Sequence, residues 1–374
     1  MRVTHRFQDA ITLLLTGDVM LGRGVDQILP HPVDRRLWEP QIDSATSYVE
    51  LAEAANGPIP RHVDFSYVWG DALANITHRS DLRIVNLETA ITTSGRPLPK
   101  GINYRMSPRN VACLRAAKFD CCVLANNHVL DWGEAGLRDT LETLDTAGIA
   151  HAGAGGNRDQ AKAPAVMPIA GGGRVVVFGF GSPTAGIPPD WAAGIGTPGV
   201  NFLGDLSERT VAELASIASA IRQSNDVLVA SIHWGANWGY AVPEDQRRFA
   251  HSLIDAAGFD IVHGHSSHHP KGFEVYQQKL ILYGCGDFIN DYEGIPGYES
   301  FRDDLAIAYF AKYSRETGTL IDLSMIPFQI RNFRLNRASP DDITWQQAVL
   351  DRECSRFGTR IERTDGEVLR AIWQ

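Results

Sequence analysis

Seven short runs of apolar, largely β-branched residues recur along the chain: ITLLLT at 11–16, LRIV at 82–85, FDCCVL at 119–124, RVVVF at 174–178, DVLVASI at 226–232, FDIVH at 259–263 and KLILY at 279–283. Each is close to continuously apolar, the pattern of a strand covered on both faces; a strand with one wet face would alternate. Between several of them apolar positions fall at helical spacing: SPRNVACLRAAK from 107, GEAGLRDTLETLDTAG from 133, SERTVAELASIASAIRQS from 207 and PEDQRRFAHSLIDAAG from 243. Gly148 and Gly258 stand where the second and fourth would end, as C-caps. Strand–helix alternation predicts an α/β (α+β) protein with substantial parallel pairing.

The segments between these elements carry weaker signals. Residues 184–206 are rich in Gly and Pro and lack periodicity, which predicts a long loop, a candidate lid. Residues 31–80 mix Pro, Trp and helical spacing and read as an insertion near a site entrance, and AGGGR from 170 reads as a hairpin turn. After 301, DLAIAYFAKYS and TLIDLSMIPFQIRNFRLNRAS read as antiparallel strands about the turn RETG, completing a second sheet. DDITWQQAVLDRECSRFG reads as a helix begun by Asp341 or Asp342 and stopped by Gly358. With no internal repeat, the expectation is one domain over 1–374, its core at about 11–335 and a C-terminal extension at about 336–374.

The residues just beyond the strands are more telling than the strands themselves. The first run leads into GDVMLGR, the second into NLE, the third into ANNH, the fifth into HWG, the sixth into GHSSHH and the seventh into YGCGDF. Ligands of open α/β sheets gather beyond the carboxyl ends of the strands. Asp18, Asn86, Glu88, Asn127, His128, His233, His265 and His268 all fall there. Carboxylate, amide oxygen and imidazole are the groups that borderline divalent cations accept. One Asp or Asn after a strand is usually a turn former or a cap, but five strand ends offering such groups together point to a metal site.

Composition narrows the classes. A formal net charge of −9 lacks the basic face that capture of nucleic acid requires. The five cysteines are odd in number and without CxxC spacing, and Cys121 and Cys122 lie in an apolar run, so buried thiols in a reducing compartment are expected rather than a thiolate zinc site. MRVTHRFQDA shows no signal-peptide apolar region, and no uncharged apolar stretch nears the roughly 18 residues of a spanning helix. The expectation is a cytoplasmic chain with no membrane span.

GDVMLGR at 17–23, NLET at 86–89, LANNHVLDWGEAGLRDTLETLDTAGIAHAGAG at 124–155, HWG at 233–235 and GHSSHHPKGFEVY at 264–276 together resemble the CapA family of poly-γ-glutamate capsule biosynthesis proteins. That family in turn resembles the calcineurin-like metallophosphoesterases. The resemblance implies a four-layer α-β-β-α sandwich of two mixed sheets around a centre of two divalent metal ions, Mn, Fe or Zn. It implies Asp18 as the metal aspartate of the first strand, Glu88 as the bridging carboxylate aided by Asn86, Asn127 as the amide ligand, and His233, His265 and His268 as imidazole ligands. The sequence departs from the pattern at three places. Ser267 stands where a proline is common, leaving His268 or His269 as the last ligand. Asn237 and Trp238 stand where a glutamate is common, and Asp287 where an asparagine is common. Compared with typical phosphoesterases, GDVML also lacks a histidine two residues after its aspartate.

A bimetal centre stabilises an anionic transition state and activates water. His128 is the candidate general acid, and Asp131 either fixes its tautomer or caps the following helix. Arg23 and Arg105 are candidates to bind phosphate or carboxylate, or else surface ion pairs. Trp132, Trp234 and Trp238 are candidate cleft walls, and Asn86, Asn237, Trp234 and Trp238 candidate substrate-binding residues, whereas Lys100 and Lys271 read as solvated charges. The expected function is metal-dependent hydrolysis of a phosphoester or γ-glutamyl amide bond in an anionic small molecule or polymer. The alternatives are a non-catalytic capsule-assembly or polymer-binding protein, and a metal-dependent amide-forming or group-transfer enzyme.

Overall fold

The computed structural model describes residues 10–364 and 366–373; the N-terminal segment, inspected in the sequence for a leader, lies largely outside them. The strands that build the sheets are, in chain order, Ala10–Val19 (β1), Leu82–Leu87 (β2), Cys121–Val123 (β3), Ala150–Ala152 (β4), Ala165–Pro168 (β5), Arg174–Gly181 (β6), Val227–His233 (β7), Ile261–His265 (β8), Phe273–Tyr276 (β9), Lys279–Leu282 (β10), Asp287–Ile289 (β11), Leu305–Ser314 (β12), Leu320–Ile330 (β13), Leu335–Arg337 (β14), Arg360–Arg363 (β15) and Leu369–Ile372 (β16). The principal helices are Arg23–Ile28 (α1), Gly133–Ala147 (α2), Glu208–Ile221 (α3), Glu244–Asp255 (α4) and Pro340–Ser355 (α5). All seven apolar runs form strands.

The larger sheet runs β15-β16-β13-β12-β1-β2-β3-β4, with β11 also beside β1 and β14 beside β13. Its β1–β4 stretch is parallel, as is β11 on β1, whereas β12 and β13 are antiparallel. The smaller sheet runs β9-β10-β8-β7-β6-β5, parallel from β10 to β6 with an antiparallel strand at each edge. Alternation along the strands sorts side chains into layers. Leu13, Leu15, Ile84 and Val123 of one sheet pack with Val175, Val177, Val229, Ile261 and Leu282 of the other. On the far side of the larger sheet, Leu14, Val85 and Cys122 meet Leu137 and Leu144 of α2. On the far side of the smaller one, Val176, Phe178, Leu228 and Ala230 meet Val211 and Leu214 of α3 and Phe249 and Leu253 of α4. The layers therefore run helix, sheet, sheet, helix.

Some local expectations change. The tail strands β12 and β13 extend the sheet that starts with β1 rather than a separate one. The helix expected from 107 is a 3₁₀ turn at Pro108–Val111 followed by one short helix at Ala112–Ala116. α5 is begun by neither Asp341 nor Asp342: Ser339 is its N-cap, and Asp342 completes a capping box by accepting from the Ser339 backbone N–H. Gly148 does cap α2 in the left-handed conformation; Gly258 lies beyond the end of α4, whose C-cap is Ala256. The 184–206 loop is tied down by two 3₁₀ turns and by Gly199–Val200 pairing with Ala154–Gly155. The AGGGR turn joins β5 to β6 as a hairpin, and all five cysteines are buried and free. Among the described residues no helix is long and apolar enough to cross a membrane.

Candidate metal centre

The C-terminal ends of β1, β2, β7 and β8, with β11, bring the predicted groups to one place between the sheets. In parallel register Asp18 stands opposite Asn86 and Asp287, and His233 opposite His265. Strict alternation in β1 would put Asp18 on the face of Leu14, away from the other sheet. An irregularity between Leu15 and Asp18 shifts the pleat, and the Asp18 carboxylate comes within 3.9 Å of His265 Nδ1. The preceding residue must be glycine: a Cβ on Gly17 would lie 1.7 Å from the Gly286 carbonyl oxygen. Ser266 holds a strained positive φ of 96° and aims its backbone N–H at Asp18 Oδ2, 3.2 Å away.

Asn86 Nδ2 donates to Asp18 Oδ1 at 2.7 Å and to Glu88 Oε2 at 2.9 Å, and Asn126 Nδ2 donates in turn to Asn86 Oδ1. Asn86 thus orients two carboxylates and has no free amide to offer a substrate. His233 lies 3.8 Å from Glu88 Oε2, its Nδ1 is 2.8 Å from His265 Nδ1, and its Nε2 is 3.1 Å from Asn127 Oδ1. His268 Nδ1 meets Asp287 Oδ1 at 2.9 Å. Ligand atoms of Asp18, His233 and His265 lie within 4.8 Å of one another, as do those of Asp18, His268 and Asp287, so two donor groups share Asp18. His269 is committed elsewhere: its Nδ1 faces the Pro270 carbonyl, and its Nε2 accepts from the Gly239 backbone N–H. Asp287, expected only as a departure from the family pattern, joins the donor set, and its place just after a strand was the signal that could have found it.

Beside these groups His128 Nδ1 is 2.6 Å from Asp131 Oδ2, and its Nε2 is 3.9 Å from Glu88 Oε1. Asp131 does not cap α2; it also accepts from the Tyr104 backbone N–H and from Lys100 Nζ at 2.7 Å. Lys100 is therefore part of the site rather than a solvated charge; nothing in its Gly- and Pro-rich surroundings signalled this. Lys271 is buried too, and its ammonium pKa is lowered by that burial.

The charges reflect how far the centre is from water. Burial, then the neighbouring Asp287, raises Asp18; burial, then Asp18, raises Glu88. Burial holds His233 and His265 far below the ordinary imidazole range. It brings His128 to about 4 against the opposing pull of Asp131. For His268 burial is outweighed by Asp287 and Asp18, and its pKa rises. The carboxyls of Asp18 and Glu88, crowded and proton-holding, beside the uncharged imidazoles of His233 and His265, form a donor set suited to borderline divalent cations.

The other candidates are placed differently. Arg23 is buried but already engaged: it forms a bidentate pair with Asp291, reaches Glu39 at 3.1 Å and Tyr48 OH at 2.9 Å, and lies over the Tyr48 and Tyr104 rings. Arg105 is not brought to the centre; it covers the Trp132 ring at 3.7 Å and donates to the Asp34 carbonyl. Trp234 packs with Phe249 behind the smaller sheet and donates to the Tyr283 carbonyl, so it walls no cleft. Asn237 bonds His268 through both side chain and backbone carbonyl. Trp238 stacks on Tyr298 at 4.0 Å and, with Asn237, His268, Lys100 and Tyr292, lines a cavity of about 750 Å³. Residues 39–51, in the segment expected as an insertion, close its far side.

Known proteins similar to this chain include capsule-related ones. The family model described as bacterial capsule synthesis protein PGA_cap matches residues 12–292. A probable polyglutamine synthesis accessory protein of Mycobacterium tuberculosis is 45% identical over 97% of this chain and 96% of that protein. The capsule biosynthesis protein CapA of Bacillus anthracis is 27% identical over 91% of this chain and 72% of its own length. A solved structure of a phosphatase from Mycoplasma pneumoniae matches with a TM-score of 0.47 and 11% identity, over 90% of this chain and 96% of that one.

Proposed function

The chain belongs to the bacterial capsule synthesis protein family PGA_cap, and from that premise we propose that it is a metal-dependent hydrolase acting on a phosphoester or a γ-glutamyl amide in capsule or poly-γ-glutamate metabolism. The observation that carries the reading is the convergence of Asp18, Glu88, His233, His265, His268 and Asp287 beside the His128–Asp131 pair. Asp18, Glu88, Asn127 and the three histidines, with Asp287 added, would hold two divalent ions, Mn, Fe or Zn. Such ions supply Lewis-acid stabilisation of anionic oxygen and lower the pKa of water.

The remaining chemistry belongs to the chain's own residues. The Asp131 carboxylate can only accept, so His128 keeps its proton on Nδ1 and turns Nε2 toward the centre. With no cation or substrate bound the ring is neutral at pH 7, its pKa being about 4. An anionic substrate group seated against it raises its proton affinity, so that Nε2 takes up a proton from solvent; the imidazolium then gives that proton from Nε2 to the leaving oxygen or nitrogen and returns to the neutral Nδ1–H form. Lys100 holds Asp131 in place and adds positive charge at the mouth. The cavity beside Trp238 and Asn237 accepts the body of an anionic small molecule or polymer segment.

A second reading, a metal-holding protein that assists polymer assembly without cleaving it, is favoured by the Mycobacterium relative's description as an accessory protein. Met20 standing where a histidine would complete the first site supports it too. The test combines elemental analysis with turnover of phosphomonoesters, phosphodiesters and γ-glutamyl amides. Hydrolysis requires bound metal in the wild type and loss of turnover, with metal retained, in His128→Ala. Metal without turnover on any of these bonds selects the accessory reading, and metal well below stoichiometric removes both.

A further inference from the structure

Upstream of the ligand histidines, adjacent strands carry a second pair of polar residues. Ser231 on β7 stands opposite His263 on β8, two positions before the His233–His265 pair. Positions 227, 229 and 261, of the same parity, hold Val, Val and Ile in the layer between the sheets. Ser231 and His263 are wholly buried next to these apolar positions, where a polar side chain persists only with its hydrogen bonds made.

Those bonds form a chain with one direction. His263 Nε2 lies 2.8 Å from the Thr16 carbonyl oxygen of β1, an atom that can only accept, so Nε2 carries the proton. Wholly buried, and with no carboxylate among its hydrogen-bond partners in the described residues, the His263 ring is neutral and its Nδ1 is an acceptor. The Ser231 hydroxyl, 3.0 Å away, has one proton and gives it to that Nδ1. Ser231 Oγ is then left to accept from His265 Nε2 at 3.1 Å. A neutral His265 that donates from Nε2 has its lone pair on Nδ1, the atom 2.8 Å from His233 Nδ1 and 3.9 Å from Asp18 Oδ1.

We infer that Ser231 and His263 are positioning residues that set the tautomer of His265, using the Thr16 carbonyl as reference so that the Nδ1 lone pair faces the metal centre. The inference rests on the proposal of a metal centre. Reversing the relay would put an N–H where a cation needs a lone pair. Partners that orient a ligand histidine from behind are typically worth about 10- to 100-fold in metal affinity.

The test uses the full chain. Ser231→Ala is expected to weaken Mn²⁺ binding, measured by chelator competition, about 10- to 100-fold, and Ser231→Thr, which keeps the hydroxyl, to restore it. His263→Phe keeps Ser231 but frees its proton for His265 Nε2, so affinity falls as far although the hydroxyl remains. Nitrogen-15 spectra of histidine-labelled, cation-free wild type are expected to show His265 protonated on Nε2, and in His263→Phe on Nδ1. A wild-type His265 protonated on Nδ1, or wild-type affinity in both Ser231→Ala and His263→Phe, overturns the inference. A wild type that binds no Mn²⁺ removes the metal reading instead, and the tautomer measurement, which needs no cation, still decides this one.

Discussion

Asp18 and Glu88 are carboxyls without solvent, and under the proposed metal reading their raised pKa values would couple cation binding to protons. In the cation-free protein both hold protons above the ordinary carboxylate range near about 4. A cation bound there would have to expel them, and also displace the proton that Asp287 and Asp18 help His268 retain. Mn²⁺ affinity is therefore expected to tighten as pH rises from about 5 to 7, and calorimetry in buffers of different ionisation enthalpy should register proton release. The same shifts act on stability. A carboxyl whose folded pKa is raised binds more protons folded than unfolded, so its contribution is lost as pH rises through the folded value. His128, His263 and His269, each lowered to about 4, act oppositely and destabilise the fold as pH falls below about 6.5. The gain in melting temperature on adding Mn²⁺ cancels the histidine contribution and should grow with pH; a gain that shrinks would refute the assignment. Asp131→Asn gives His128 a partner able to donate, which reverses the tautomer. Turnover is expected to fall about 100-fold or more with metal content unchanged.

Among the elements, β1 is the one on which the site depends. It pairs with β2, β11 and β12 at once, and only a glycine at 17 lets the backbone of Gly286 approach. Gly17→Ala is expected to cost about 1–3 kcal/mol in chemical denaturation, and to weaken cation binding as well, because Asp18 and Asp287 separate. The N-terminus of α5 offers the contrasting case. Ser339→Ala removes the hydroxyl from its capping box and should cost about 0.5–2 kcal/mol, yet leave metal affinity at the wild-type value, since no ligand lies on that helix. Equal loss of cation binding in the two variants would show that the site simply follows global stability.

At the scale of the molecule, the two sheets share one apolar layer, and residues of the C-terminal segment are in it. Ile343, Leu350, Cys354, Ile361 and Leu369 pack there with Leu13, Val177 and Tyr309. A chain ending at Ala338 is expected to lose soluble expression and cooperative unfolding, although it keeps every candidate ligand; a truncated chain that melts cooperatively would contradict this. The features that the sequence determined by itself were periodic or local. Continuous apolar runs announced the strands, helical spacing announced α2, α3 and α4, and metal-competent groups just after strands marked Asp18, Glu88, His233, His265 and His268. Only the tertiary structure decided the rest, because it rests on contacts between distant segments. It made Arg23 the partner of Asp291, 268 positions away, and turned Lys100 from a surface charge into the partner of Asp131. It also divided the four histidines of HGHSSHH, two toward the centre and two held by backbone groups. Residue type and spacing show which groups can bind a cation; which lone pairs are turned toward the candidate centre depends on hydrogen bonds that form only when both sheets are closed.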